Sequence, residues 1–194
     1  MNPPHKDPIL RDLIFTVSQL IADAECSEWI TLAESIGFAA APITTAAGFL
    51  MAPEIRNNTR VMFDDRTRAS ALWERLAPFV PPALGNCAAL GLNERLRIYR
   101  YEPKQYFRWH SDGAFVRDRR EHSLLTLMIY LNDDFTGGAT EFDTREGDFQ
   151  IVPRRGMALL FEHPLRHQGA PVRQGTKYVL RTDVMYRRSE LARE

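Results

Sequence analysis

His110 and Asp112 stand two residues apart in R-W-H-S-D-G, residues 108–113. On an extended strand, side chains at i and i+2 share a face with α-carbons ~6–7 Å apart, close enough for an imidazole and a carboxylate to hold one ion. An ion that activates oxygen needs three protein ligands on one side and open positions on the other. Two imidazoles and one carboxylate meet that need for ferrous iron. The third ligand must come from elsewhere in the chain. His5 lies in a proline-rich start, and His122 closes the charged run R-D-R-R-E-H. There remain His163 and His167 in F-E-H-P-L-R-H-Q-G-A-P-V, residues 161–172.

The elements that must position these groups follow from periodicity. Cys26, Trp29, Ile30 and Ala33 recur at helical spacing after Asp23, an expected N-cap, and Gly37 stops the pattern. Ala69, Leu72, Trp73 and Leu76 form a second stripe after Asp65, ended by P-F-V-P-P. From about Leu92 the period becomes two, in short β-rich runs separated by turn chemistry such as D-D-F-T-G-G and R-E-G-D. In S-L-L-T-L-M-I-Y-L-N one face is Leu125, Leu127, Ile129 and Leu131, and the other is Leu124, Thr126, Met128 and Tyr130. K-Y-V-L-R-T-D-V-M-Y divides in the same way, with Lys177, Val179, Arg181 and Asp183 on one face. The expectation is that the apolar faces lie under the helices and the polar faces line a barrel interior that holds a charged ligand.

Length and charge bound the rest. At 194 residues the chain reads as one domain: a loose tail over 1–8, a helical and β elaboration over 9–91, and a barrel over 92–187. Lys plus Arg equals Asp plus Glu at 25 each, so no general field draws the molecule to nucleic acid or anionic membrane. Cys26 and Cys87 are the only cysteines, which suits a reduced, cytoplasmic protein. M-N-P-P-H-K-D-P has no apolar core behind a basic start and is not expected to be a secretory signal. No run of ~18 apolar residues suggests a membrane span. Oligomeric state is not written in these features.

R-I-Y-R-Y-E-P-K-Q-Y-F-R-W-H-S-D-G, S-L-L-T-L-M-I-Y-L-N-D-D-F-T-G-G-A-T-E-F, P-R-R-G-M-A-L-L-F-E-H and H-Q-G-A-P-V-R-Q-G-T-K-Y-V-L-R-T-D-V-M-Y occur in this order over roughly residues 92–187. Together they resemble the 2-oxoglutarate- and Fe(II)-dependent dioxygenases, in particular the prolyl 4-hydroxylase catalytic-domain branch. The resemblance implies an α+β, mainly β fold: a double-stranded β-helix (jelly-roll, cupin-like) barrel with the N-terminal helices packed on one face. It implies His110, Asp112 and His167 as the iron triad, His167 taking precedence over His163 because it holds the H-x-G-x-P position. His163 is then a spectator whose replacement leaves iron binding nearly unchanged. Tyr130 and Tyr101 match residues of the cosubstrate pocket, and Thr126 shares the Tyr130 face. The basic anchor for the distal carboxylate is Lys177 by its spacing from His167, or Arg181 by its bidentate chemistry.

The implied activity consumes 2-oxoglutarate and O2, with ascorbate as a supporting reductant, and releases succinate and CO2. It would hydroxylate an unactivated C–H bond of an amino acid, a peptidyl proline or a small metabolite. Two other readings stand beside it. The spacing of Arg181 and Arg187 is similar to that of the AlkB-like nucleic-acid demethylases, and a barrel without turnover would serve as a ligand-binding module. For substrate selection the sequence offers F-L-M-A-P-E-I-R-N-N-T-R-V-M-F-D-D, residues 49–65, where Arg56, Asn58 and Arg60 form either a wall of the site or a solvated loop.

Overall fold

The computed structural model describes residues 3–45 and 48–189. The chain opens with β1 (His5–Leu10), β2 (Ile14–Ser18) and α1 (Asp23–Ile36), followed by β3 (Ala39–Ala40), β4 (Ile43–Thr45), β5 (Gly48–Leu50), β6 (Thr59–Asp64) and α2 (Arg66–Leu76). Next come β7 (Ala83–Leu84), β8 (Cys87–Leu92), β9 (Arg95–Tyr101), β10 (Phe107–His110), β11 (Glu121–Tyr130), β12 (Thr136–Gly137) and β13 (Thr140–Thr144). The last strands are β14 (Gly147–Ile151), β15 (Ala158–Glu162), β16 (Arg166–Gly169), β17 (Val172–Gln174) and β18 (Lys177–Arg188).

The major sheet runs β1-β2-β15-β11-β18-β9-β6-β3, with β8 also paired to β18. Facing it is a minor sheet ordered β10-β16-β13-β14. All these pairings are antiparallel, and the sequence-distant neighbours, such as β11 between β15 and β18, make the jelly-roll. Both helices cover the outer face of the major sheet. Cys26, Trp29 and Ala33 of α1 and Ala69, Leu72 and Leu76 of α2 join Phe15, Leu125, Leu127, Ile129, Leu180 and Val184 in one core. A second core between the sheets contains Tyr130, Phe142, Leu159, Phe161 and Val179. The alternation read from β11 and β18 therefore has its expected outcome: apolar positions under the helices, polar ones inside the barrel.

Two expectations change. Residues 5–8 of the expected tail belong to β1, an edge strand paired with β2, while Met1 and Asn2 lie outside the described residues. Pro8 suits an edge strand, the part of a sheet to which a residue without an amide hydrogen is confined. Lys6 also holds the strand, its ammonium 4.1 Å from the Phe15 ring and 2.7 Å from Asp12 Oδ1. The N-cap of α1 is Ala22, not Asp23. Asp23 instead opens the first turn with Glu25, where carboxylates oppose the helix dipole. Asp65 does cap α2, accepting from the Arg68 amide at 2.9 Å. β2 escapes a period-two reading because Ile14, Phe15, Thr16 and Val17 are all buried, leaving a continuous apolar run.

Candidate active site

β10 and β16 pair directly at His110 and His167, so the two imidazoles arise as a cross-strand pair with ring centroids 4.2 Å apart. β10 ends at His110. Asp112 therefore lies just past the strand rather than on it, and its amide donates to the His163 carbonyl at 2.9 Å. Its carboxylate nevertheless reaches both rings, with Oδ1 3.8 Å from His110 Nε2 and Oδ2 3.7 Å from His167 Nε2. One ligand atom from each of the three residues falls within 4.8 Å of the others, a spacing that could hold a metal ion.

The hydrogen bonds of the rings decide which nitrogens face that point. His110 Nδ1 is 2.7 Å from the Arg108 carbonyl and His167 Nδ1 is 2.9 Å from the Leu165 carbonyl. A carbonyl only accepts, so both Nδ1 atoms carry hydrogen and both Nε2 atoms present lone pairs to the Asp112 side. Burial favours this neutral form, lowering the His167 pKa and taking that of His110 to about 3. For Asp112, burial alone would raise the pKa. The charge of Arg181, the two imidazoles and the Thr126 hydrogen bond outweigh it and keep the group ionised. Two neutral imidazoles and a carboxylate are the protonation states a divalent metal requires.

His163 lies outside that cluster. It is only 4% exposed, and both ring nitrogens are engaged, Nε2 with Ser123 Oγ at 2.7 Å and Nδ1 with Thr126 Oγ1 at 2.9 Å. Thr126 also departs from expectation. It does not line the cavity; its hydroxyl donates to Asp112 Oδ2 at 2.6 Å.

The cavity beside the triad is lined by Tyr101, Thr140, Lys177 and Arg181, with Tyr99 and Phe107 on another wall. Tyr130 stands one residue behind, its hydroxyl 2.7 Å from Thr140 Oγ1. Lys177 and Arg181, four apart on β18, have different surroundings. Arg181 is already matched, 2.9 Å from Asp112 Oδ1 and 3.7 Å from Asp183 Oδ1, and Asp183 also pairs with Arg97 at 3.4 Å. Lys177 is 2% exposed and donates to the Gly138 carbonyl at 2.5 Å. The rings of Tyr101 and Tyr130 lie 5.4 and 5.3 Å from its ammonium. Among the described residues it has no carboxylate partner, and burial lowers its pKa to about 7. The Gly138 carbonyl is presented by the Gly137-Gly138 turn, at φ +76° and +66°; a Cβ on Gly137 would come 2.5 Å from the Pro171 oxygen.

Sequence reading missed Thr140, Phe107 and Tyr99. Tyr99 shares a strand face with Tyr101, and that period-two signal could have found it. Phe107 stacks on His110 with centroids 3.5 Å apart. Arg56 sits between Phe107 and Tyr99, its guanidinium carbon 4.4 Å from each ring centroid, and bonds Asn58 Oδ1 at 2.7 Å. Arg56 and Asn58 are thus buried behind the site wall, while Arg60 is half-buried on β6.

With this geometry in view, residues 96–182 match the model of the 2OG-Fe(II) oxygenase superfamily. All three triad residues, Lys177 and Arg181 fall within this stretch. A relative from Acanthamoeba polyphaga mimivirus, provisionally named a prolyl 4-hydroxylase, is 33% identical over 105 residues, 44% of this chain and 42% of its own. A PKHD-type hydroxylase of Crocosphaera subtropica is 28% identical over 88 residues, 44% of this chain and 40% of its own. The chain thus spans about two fifths of the length of these curated relatives. Among solved structures, a Trichoplax adhaerens prolyl hydroxylase, in complex with a hypoxia inducible factor peptide fragment, superposes with a TM-score of 0.68. It is 18% identical, over 89% of this chain and 83% of that one. The viral collagen prolyl hydroxylase of Paramecium Bursaria Chlorella virus-1, in its 2OG complex, gives 0.60 at 20% identity over 90% and 96%. These structures share the double-stranded β-helix fold with this chain. No helix among the described residues is long and apolar enough to cross a membrane.

Proposed function

We propose that the protein is an Fe(II)- and 2-oxoglutarate-dependent oxygenase that hydroxylates an unactivated C–H bond of a peptidyl proline, an amino acid or another small metabolite. The observation that carries this reading is the coexistence, in one cavity wall, of a neutral two-histidine, one-carboxylate cluster and a buried ammonium without a counter-ion. A buried ammonium is costly unless an anion joins it. Lys177 is accordingly the anchor for the distal carboxylate of 2-oxoglutarate, because Arg181 is already matched by Asp112 and Asp183.

His110, Asp112 and His167 would hold the metal, and their donor set fits ferrous iron. Iron and cosubstrate, when bound, supply the oxidising chemistry, with O2 consumed and succinate and CO2 released. The chain's own residues do the positioning. Arg108 and Leu165 carbonyls fix the imidazole tautomers, and Phe107 lies flat against His110 and limits its rotation. Tyr101, Tyr130 and Thr140 surround the anchor with aromatic and hydroxyl groups and keep water from it. Ascorbate, as a supporting reductant, is compatible with this chemistry.

Relatives named as prolyl hydroxylases support a prolyl or related substrate. The free cysteines Cys26 and Cys87, both buried, support a reducing, cytoplasmic setting. The nucleic-acid demethylase reading loses its motif: Arg181 faces the cavity, whereas Arg187 is exposed and paired with Glu121. The test is an anaerobic titration with Fe(II) and 2-oxoglutarate, following the weak visible charge-transfer band of the chelate in wild type and His167→Ala. A band present in wild type and lost in the variant is expected. Its absence from folded, iron-loaded wild type would overturn the reading in favour of a binding module.

A further inference from the structure

We propose that His163 is a positioning residue for Asp112, acting through Thr126, with its ring held in a single tautomer by a directed chain of hydrogen bonds that begins at the Phe115 amide. The purpose it serves rests on the reading above; the chain itself is defined by the hydrogen bonds.

The direction of every bond follows from donor and acceptor capacity. Asp112 is ionised and can only accept, so the single hydroxyl hydrogen of Thr126 is committed to Asp112 Oδ2 at 2.6 Å. The Thr126 oxygen must then accept from His163 Nδ1 at 2.9 Å, which places the ring hydrogen on Nδ1. His163 Nε2 is left with a lone pair, filled by the Ser123 hydroxyl at 2.7 Å. Ser123 Oγ in turn accepts the Phe115 amide at 2.8 Å. The opposite tautomer would set a lone pair on Nδ1 against Thr126 Oγ1 and leave the Ser123 hydrogen without an acceptor in the chain. Bonds aligned in this way reinforce one another in a buried setting, and Ser123 and Thr126 are both 0% exposed.

The backbone makes the same connection a second time. Asp112 donates its amide to the His163 carbonyl at 2.9 Å, and Ser111 Oγ donates to the Pro164 carbonyl at 3.0 Å. His163 thus grips Asp112 from both the main chain and the side chain, and neither grip is needed for a spectator. The start of the chain, Phe115, lies in the segment joining β10 to β11, which closes on Ser123 through the Ser123 amide and Phe115 carbonyl at 2.8 Å. The placing of that segment is therefore transmitted to one oxygen of the carboxylate. Partners that orient metal ligands in this manner are typically worth about 10–100-fold in metal affinity.

The test has two arms. In the metal-free full-length protein, long-range 1H–15N NMR of the imidazoles should show His163 as the Nδ1–H tautomer, and Thr126→Val, which removes the acceptor for that hydrogen, should release it into a mixture. An Nε2–H tautomer in wild type overturns the chain. In the second arm Mn(II) is the probe, bound to wild type, Thr126→Val and Thr126→Ser. Thr126→Val should bind it about 10–100-fold more weakly, whereas Thr126→Ser, which restores the hydroxyl, should bind with close to wild-type affinity. A purely structural role would lower the melting temperature without separating the two variants in Mn(II) affinity. Wild-type affinity in folded Thr126→Val overturns the proposal. If wild type itself binds no Mn(II), the metal-site reading fails, while the NMR arm still decides the chain.

Discussion

Thr126 and Leu127 are neighbours on β11 and equally buried, at 0% and 1% exposure, yet they serve opposite faces of the same strand. Leu127 joins the core beneath the helices, where many interchangeable dispersion contacts share the load. Thr126 turns into the barrel and makes two directional bonds, one to Asp112 and one to His163. β18 repeats the contrast, with Leu180 and Val184 in the helix-side core and Lys177 and Arg181 in the cavity wall. Burial by itself therefore says little about role. One face is specified by volume and the other by the number and direction of hydrogen-bond donors and acceptors.

Removing a ligand from the inner face should have the largest effect. His167→Ala or Asp112→Ala is expected to abolish Fe(II)-dependent 2-oxoglutarate consumption and Mn(II) binding, as measured by succinate release and titration; retained activity in either removes that residue from the triad.

Separating the two cations of β18 comes next. Loss of a charge-assisted bond costs about 1.5–3 kcal/mol, or roughly 10–100-fold, so Lys177→Ala should raise the 2-oxoglutarate KM by that factor with metal affinity kept. Arg181→Ala should do the reverse, because it frees Asp112 from its partner. If Arg181→Ala proves to be the KM variant, the anchor assignment is exchanged.

Leu127→Ala tests the outer face. A cavity left by a buried leucine costs about 2–5 kcal/mol, so the urea midpoint should fall while the folded fraction binds Mn(II) normally. A change in intrinsic metal affinity would show that the two faces are coupled.

A gentler perturbation is pH. Lys177 has a pKa of about 7 when folded, against 10.5 when exposed. Between these values the unfolded chain binds the extra proton, so stability of the cosubstrate-free protein should rise from pH 7 towards 10.5. 2-Oxoglutarate affinity should fall over the same interval as the ammonium is lost. Lys177→Met should flatten both trends. Smallest of all, Arg187→Ala on the exposed end of β18 should change stability by less than about 0.5 kcal/mol and leave cosubstrate consumption untouched; a marked loss of turnover would revive the demethylase reading.

What the sequence determined by itself was the part written in local pattern. Period-two alternation in β11 and β18 assigned their faces, the stripes of α1 and α2 marked the covering helices, and the order of the motifs carried the resemblance that put forward His110, Asp112 and His167 as a metal cluster, with the anchor left open between Lys177 and Arg181. These are legible because side-chain direction follows the backbone period within a few residues. The tertiary structure decided what depends on distant partners. It made residues 5–8 an edge strand, placed Asp112 beyond the end of β10, and separated Lys177 from Arg181 by giving only the latter a carboxylate. It also distinguished His163 from His167, four residues apart and both buried, by what occupies their second nitrogens. Leu165 holds one ring from within its own turn, whereas Ser123 and Thr126, some forty residues earlier in the chain, fill both nitrogens of the other. A nitrogen has one lone pair or one hydrogen to spend, and only the folded chain determines where it is spent.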